Sequence, residues 1–534
     1  MRFQRLRKVL RWTLRAIPAL AVLLILFILE ENVRGRIQLA RYKAELRAKG
    51  EKLTIEEFNF QKPVENEAMR VLLASAGELT NLSQAFANGT FGFGLRLRFI
   101  GPGCCIVRQS QADTDMRLST TAERVALPSA TRHPSSVYYV YTWEELAEKV
   151  ASAREPLRVI RASLQKPVLA TSVDYGGSKI PQYGAAAAIG AWSSVAALSD
   201  LHQNDLDAAL QDLLTSTELM QSLENSQSYD LQMGRMHIGE VALSMTWEAL
   251  QMPGWEDHQL ATLQTAWEKA SVINKFEPAA QVQRAIVLEH WDGVVHKPMR
   301  ELLCWSEMNM DSWDDISRML RGIVWYVAWR QQDQARGLEL WVDGVKAVQS
   351  AVTEPKWIVA RDVFRKTEQD EWKLHWIFYD QWRYQMSITD MASGMTWGPG
   401  NLVYNVKELL EYETQREMTV AAIALKRFEL RHGTLPPDLL ALVPEFLAEI
   451  PHDYMDGHPL RYRLNADGTF TLYSVGEDCE DNGGDPARPG HRGLVFSIWD
   501  GRDAVWPAAA SREEVEAWES RRFQRIPASG SSKR

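Results

Sequence analysis

The sequence predicts a mainly α-helical protein: a helical-hairpin domain and a small C-terminal α+β module behind one N-terminal transmembrane helix. Three observations predict it. Residues 16–29, AIPALAVLLILFIL, contain no charge. From Trp143 to about residue 400, apolar side chains recur at helical spacing. Between 460 and 475, two strand-like segments flank Asn465-Ala466-Asp467-Gly468, a hairpin signature.

The chain has 534 residues, 46% hydrophobic and 24% charged. That composition excludes wholesale disorder and fibrous repeats, and at roughly 100–200 residues per domain the length suits two to four domains. The formal net charge is −9. Arg2, Arg5, Arg7, Lys8, Arg11 and Arg15 crowd the first positions, so the remainder is more acidic than the whole. Such a body lacks the basic footprint of a nucleic-acid binder, and no nucleic-acid partner is expected. Four cysteines exclude a disulfide scaffold. Adjacent Cys104 and Cys105 seldom bridge to each other; one of them pairs with Cys304 or Cys479 in an oxidising compartment, or all stay reduced.

Residues 1–31 read as a basic cytoplasmic flank and a membrane anchor. At about 1.5 Å per residue the run Ala16–Leu29 covers ~21 Å of a ~30 Å hydrocarbon layer. Trp12, Thr13 and Leu14 extend it to a spanning length if Arg15 snorkels to the headgroups. Basic residues precede the run and Glu30-Glu31 follow it, which puts the N-terminus in the cytoplasm and the body outside. A run this short also suits a cleaved signal peptide. The sequence that follows, ILEENVRGR, offers no small-x-small site, so an uncleaved signal anchor is expected. The apolar run Ile323–Trp329 is too short to span, has arginine on both sides, and reads as a core helix.

Residues 32–59 predict a juxtamembrane helix, with Ile37, Leu39, Tyr42 and Leu46 at near-helical spacing and Gly50 able to end it. Residues 60–140 are mixed, with a short RLRF strand. Their glycines Gly89, Gly92 and Gly94 lack the lysine–threonine pair of a phosphate loop. Residues 141–403 make the helical domain. In its clearest unit Trp192, Val195, Leu198 and Leu201 share one face, and Asn204-Asp205 breaks and recaps the chain. Leu206, Ala209, Leu210, Leu213 and Leu214 then mark a second, antiparallel helix with Ala209 at the close contact. This is a hairpin of tetratricopeptide type or an ordinary one; no repeat of ~34 residues accompanies it. Further helices are expected around 230–251 and 257–275, the second opened by Pro253-Gly254 before Trp255 and carrying Leu260, Leu263 and Trp267. Trp325/Trp329 and Trp372/Trp376 are i,i+4 pairs, core if buried and a sugar-stacking face if exposed; helical spacing favours core.

Residues 404–507 make the α+β module, and 508–534 a polar tail expected to be disordered. Val420, Ile423, Ala424 and Phe428 stripe a helix that stops at Gly433. A proline-opened short helix follows, with Leu439, Leu442, Val443 and Phe446 inward. Then come an Asp456-Gly457 turn, the strands LRYRL and TFTLYSV, the acidic loop GEDCEDNGGD and a last strand GLVFSIW.

Over residues 420–506 this order resembles the globular, pilin-like part of the major pseudopilin of type II secretion systems. The matching residues are Ala424-Leu425, Phe428, Gly433, Pro436, Leu439, Leu442, Pro451 with Asp453, Gly457, Pro459, Tyr462, and Leu472 through Asp478, LYSVGED. The module behind a signal anchor and the Ala48–Leu53 segment is also similar to large bacterial envelope proteins of unassigned activity. The resemblance implies an inner-membrane, single-pass protein with a periplasmic body. It also implies a structural calcium ion in the acidic loop, held by Asp478, Asp481 and Asp485. Three carboxylates and the carbonyls of a glycine-rich turn also offer the six to eight oxygens calcium takes. Two positions depart from the family: Cys479 stands where a small residue is expected, and His452 precedes Asp453. The family's N-terminal processing site, a glycine before a hydrophobic segment with a glutamate five residues on, has no counterpart in MRFQRLRKVLRW, so pilus assembly is not implied.

No catalytic residues stand out. HExxH, GxSxG, Walker and CxxC patterns are missing from the sequence. His290 and His296 are six apart and point to different helix faces, Glu289-His290 is an acid–base pair only with a distant partner, and His237 reads as an interior histidine. Asp314-Asp315 and Glu144-Glu145 read as helix N-terminal charges. The expected function is a membrane-tethered extracytoplasmic scaffold or adaptor that binds other envelope proteins. The alternatives are an envelope hydrolase whose site forms only on folding, or a glycan binder through the tryptophans between Trp305 and Trp397.

Overall fold

A computed structural model describes residues 2–60, 67–84, 118–119, 141–165, 181–296, 320–362, 399–487 and 498–508. The expectations for Gly89, Gly92, Gly94, the RLRF strand, Cys104, Cys105, Cys304, Asp314-Asp315, Trp372/Trp376 and the tail from 509 fall outside them. The described protein is mainly helical, with few strands. In chain order the helices are α1 (Arg2–Ala48), α2 (Glu67–Gln84), α3 (Trp143–Leu164), α4 (Pro181–His202), α5 (Leu206–Ser222), α6 (Tyr229–Gln251), α7 (Asp257–Glu268), α8 (Ile273–His296), α9 (Arg330–Thr353) and α10 (Pro399–His432). The strands are β1 (Leu118–Ser119), β2 (Tyr141–Thr142), β3 (Arg461–Leu464), β4 (Phe470–Ser474) and β5 (Ala504–Val505).

The chain divides into two compact units, each discontinuous in sequence. One comprises Met1–Phe60, Ala280–Ser350 and Ala360–Val406; the other comprises Gln61–Ala279, Ala351–Val359 and Lys407–Arg534. The boundary expected at 403/404 falls inside α10.

In the first unit, the segments expected to be anchor and juxtamembrane helix are one element, α1. The apolar side chains of α1 from Ile17 to Leu29 are exposed except half-buried Ile28, whereas Glu31, Gly35, Leu39 and Leu46 form a buried stripe further along. Ile37, expected on that stripe, is 63% exposed. The apolar period misleads here because a carboxylate and a glycine occupy the true inner positions. Gly35 permits close approach: a Cβ there would sit 2.7 Å from Gln332 Cγ. Gly50, with φ +85°, ends the helix region as expected. Trp291, Leu338 and Trp341 fill the core, with Gly337 directly under the Trp291 indole.

The second unit is organised around α4, which packs against α2, α3, α5 and α6. Its sequence, rich in Ala, Gly and Ser, lets neighbours close in on nearly every side: Trp192, Ser193, Val195, Ala196 and Ala197 are all buried, while Leu198 is half-exposed. The single apolar face expected for α4 is therefore a correction. Small side chains do not register as hydrophobic, yet they are what permits burial all round. The Trp192 indole N–H donates to Leu79 O at 3.0 Å. The α4–α5 turn forms as expected: Asn204 is left-handed (φ +59°), Asp205 caps α5 through Ala208 N at 3.0 Å, and Ala209 is fully buried.

The helix expected over 257–275 breaks instead. α7 ends at Glu268, and α8 starts at Ile273 because the buried Glu413 carboxylate accepts the N–H groups of Val272 (2.6 Å) and Ile273 (3.0 Å) and the Ser271 hydroxyl (3.0 Å). A charged acceptor at a helix start satisfies its orphan donors and opposes the dipole. Arg416 Nε donates to the other oxygen of Glu413 at 2.8 Å.

After α10 the chain stops at Gly433 (φ +72°) and makes a short 3-10 helix, Leu439–Leu442, capped by Asp438. β3 pairs antiparallel with β4, Tyr462 opposite Leu472, around the Asn465–Gly468 turn. The expected last strand GLVFSIW is described only at its end, Ile498-Trp499, which is not a strand. Ile498–Asp500 is a 3-10 turn, residues 493–497 lie outside the described set, and the third strand of the sheet is β5, pairing Ser474 with Ala504.

Candidate functional site

The most distinctive arrangement in the first unit lies where α1 leaves its apolar stretch. Residues 320–324 are α-helical, and Trp325–Trp329 form a π turn in which Arg330 N–H reaches back to Trp325 O before α9 begins. The π turn brings Trp325 and Trp329 onto α1, with Ala328 between them and Ile28, Val324 and Tyr326 around them. The Trp329 ring meets Phe27 edge-on at 6.3 Å. Both indoles are buried, and both N–H groups find carboxylates: Trp325 Nε1 donates to Asp333 Oδ2 at 2.7 Å, and Trp329 Nε1 to Glu31 Oε2 at 2.9 Å. Gln332 Nε2 donates to the same Glu31 oxygen at 3.0 Å and to Glu31 O at 2.8 Å. Asn32 Nδ2 donates to Val327 O at 2.9 Å. The two indole N–H groups, the Glu31 carboxylate and the Gln332 amide nitrogen are thereby all paired, the condition for keeping them buried. Trp325/Trp329 is thus core, as its spacing suggested, and presents no open stacking face.

In the second unit, the acidic loop is held by residues the sequence did not single out. Asp503, fully buried, accepts the backbone N–H groups of Asn482 (3.2 Å), Gly484 (2.7 Å) and Asp485 (3.0 Å). Left-handed Gly476, Cys479, Gly483 and Gly484 let the loop curl around it. Beside it, buried Asp453 accepts from Ser474 Oγ (2.7 Å), Met455 N (3.0 Å), Val475 N (2.9 Å) and Arg461 Nη1 (2.8 Å). Burial raises the Asp453 pKa, and these hydrogen bonds pull it back.

The three expected calcium ligands face their own loop. Asp478 Oδ1 accepts Glu480 N (2.9 Å), Asp481 Oδ1 accepts Gly483 N (2.9 Å) and the Tyr473 hydroxyl (3.1 Å), and Asp485 Oδ1 accepts Ala487 N (2.9 Å). Among the described residues no three His, Cys, Asp or Glu side chains gather as a metal ion requires. Neither Asp503 nor the loop's glycine geometry had a sequence signal beyond the glycines themselves.

A third cluster ties the hairpin helices together. Arg154 on α3 bridges Asp200 on α4 and Asp212 on α5, reaching Asp212 at 2.9 Å, and Arg161 pairs with Asp212 while donating to Thr215 Oγ1 at 2.8 Å. Burial, with Asp200 alongside, raises the Asp212 carboxyl against the pull of both arginines.

The remaining candidates have local roles. Glu289 accepts Ile55 N at 2.6 Å, exposed His296 faces Asp292 O at 2.6 Å, and half-buried His237 lines a cavity of about 20 Å³ with Tyr183 and Ile238. Compared with protein-family models, curated proteins and solved structures, the chain matches none.

Proposed function

We propose that the protein is a membrane-tethered scaffold or adaptor whose extracytoplasmic body binds other envelope proteins. The observation that carries this reading is the unbroken helix α1: one element begins with an exposed apolar stretch long enough to cross a membrane and continues into the buried core of the first unit, fixed there at Glu31. A helix continuous from lipid to core transmits orientation and position, which is what a tether must do. The antiparallel packing of α4 and α5, with α2, α3 and α6 around α4, supports a protein-binding body by analogy of architecture. The order of α10, Gly433, hairpin, acidic loop and β5 supports the pseudopilin resemblance in the same way.

On this reading the N-terminus is cytoplasmic, the membrane is the inner membrane and the body is periplasmic. An alkaline phosphatase fused to the carboxyl end is expected to be active in cells and a green fluorescent fusion dark; the reverse pair overturns the topology. Crosslinking in intact cells, followed by purification from solubilised membranes, is expected to return defined envelope proteins. Recovery of the uncrosslinked chain alone overturns the adaptor. Calcium at Asp478, Asp481 and Asp485 is a proposal of the same standing. An ion there would draw the three carboxylates off their loop amides and raise the melting temperature of the purified protein in millimolar calcium; an unmoved melting temperature removes it.

A further inference from the structure

We propose that the turn over residues 320–329 is a second, non-spanning membrane contact, seated beside α1 in the outer interface of the lipid bilayer. The inference rests on reading α1 as a membrane span and adds to it. Trp325, Ala328 and Trp329 form the inner stripe of this turn and pack on Phe27 and Ile28. Those two residues close the charge-free run of α1, so whatever touches them sits at the level where hydrocarbon meets headgroups.

The outer stripe is apolar too. Leu320, Ile323 and Val327 recur at i, i+3 and i+7, with Val324 at the edge where it also packs on the tryptophans; Leu320 is 49% exposed and the other three are half-buried. A helix facing water would carry polar side chains there, whereas an apolar outer stripe suits lipid. The polar edges behave as an interfacial element requires. Both indole N–H groups point to carboxylates of Glu31 and Asp333, Arg330 lies 4.2 Å over the Tyr326 ring, and the Val327 carbonyl is satisfied by Asn32. Tryptophan and tyrosine with satisfied polar ends and flanking arginines are the groups that settle at a membrane–water boundary. One carbonyl of the π turn, Val327 O, has a side-chain donor from α1 in place of water. The occupant of the outer stripe is therefore lipid, continuous with the lipid around α1.

The test is spin-label depth measurement on the full chain in phosphatidylcholine–phosphatidylglycerol vesicles, with the four native cysteines replaced by serine. Labels are placed singly through Leu320→Cys, Ile323→Cys and Val327→Cys, with Leu26→Cys as the anchor reference and Lys346→Cys as the aqueous one. The expected result is that labels at 320 and 323 collide with oxygen and are shielded several-fold from an aqueous nickel chelate relative to 346, as the label at 26 is. Nickel access at 320 and 323 equal to that at 346, with 26 still shielded, overturns the second contact and leaves the anchor standing. Nickel access at 26 overturns the anchor and this inference together. Dipolar broadening between labels at 320 or 323 assigns the stripe to a second copy of the chain and overturns the lipid assignment.

Discussion

Glu31 and Trp329 are 298 residues apart in the chain, yet the carboxylate of the first accepts the indole N–H of the second at 2.9 Å in a buried setting. This bond, with Gln332 on the same oxygen, is where the apolar helix is fixed to its body. Replacing Glu31→Ala leaves the buried Trp329 indole N–H without its acceptor and takes one of the two acceptors of Gln332, and is expected to destabilise the purified protein by about 1–3 kcal/mol. Glu31→Gln retains one oxygen acceptor and should lose less. Thermal unfolding in detergent followed by tryptophan fluorescence measures both; equal melting temperatures for wild type and Glu31→Ala would show that the junction bears no stability.

Gly337 lies against the Trp291 ring with no room for a side chain. Gly337→Ala is therefore expected to cost about 1–3 kcal/mol through overpacking. Adding Trp291→Phe to that variant should recover part of the loss, because the smaller ring vacates the clash. The double-mutant cycle is the measurement, and additivity of the two changes would refute the contact.

Glu413 starts α8 and anchors Arg416 in a region closed to water. Glu413→Ala is expected to destabilise the protein by about 1–3 kcal/mol, since it leaves the helix-start donors unpaired and takes from Arg416 one of its two carboxylate partners, Glu417 remaining. Glu413→Gln keeps an acceptor at the helix start and should lie between. Chemical denaturation midpoints decide it.

Asp257 joins α7 to α10 through Arg427 Nε at 2.8 Å and Arg431 Nη2 at 2.6 Å. Burial works to raise its carboxyl, but the hydrogen bonds and charges of the two arginines outweigh that and hold it below its ordinary value of 3.8. A depressed acid contributes stability above its unfolded pKa and loses it as pH falls through the folded one. The Asp257→Asn variant should therefore show a shallower fall in stability below about pH 4 than wild type. Identical acid limbs would contradict the pairing.

The acidic loop depends on Asp503, not on its own carboxylates alone. With Asp503→Ala, three loop amides lose their acceptor, and cleavage within 477–487 by a nonspecific protease is expected to quicken while the far-ultraviolet circular dichroism is kept. Asp503→Asn should fall between. Unchanged cleavage in the alanine variant would mean that the loop is held elsewhere.

Signals in the sequence carry through to the fold where the physics is local. The charge-free stretch from Ala16 to Leu29, the Asn204-Asp205 recap, the stop at Gly433 and the Asn465–Gly468 turn each follow from a few neighbouring residues and their backbone preferences. The sequence misled where a distant side chain decides. The spacing over 257–275 predicts one helix, but the Glu413 carboxylate takes the amides of Val272 and Ile273 and starts a new one. Ala504-Val505 carries no strand signal of its own, yet β5 is the segment that pairs with β4 beside buried Asp503.

The amino-acid order alone determined that the chain is mainly helical and that it begins with an apolar helix, because hydrophobic run length and periodicity are properties of consecutive residues. Only the tertiary structure decided which face of that helix turns inward, where α7 ends, and that Asp503 organises the loop predicted to hold calcium. Those outcomes depend on hydrogen bonds between groups far apart in the chain, and burial makes leaving such groups unpaired too costly for any other arrangement.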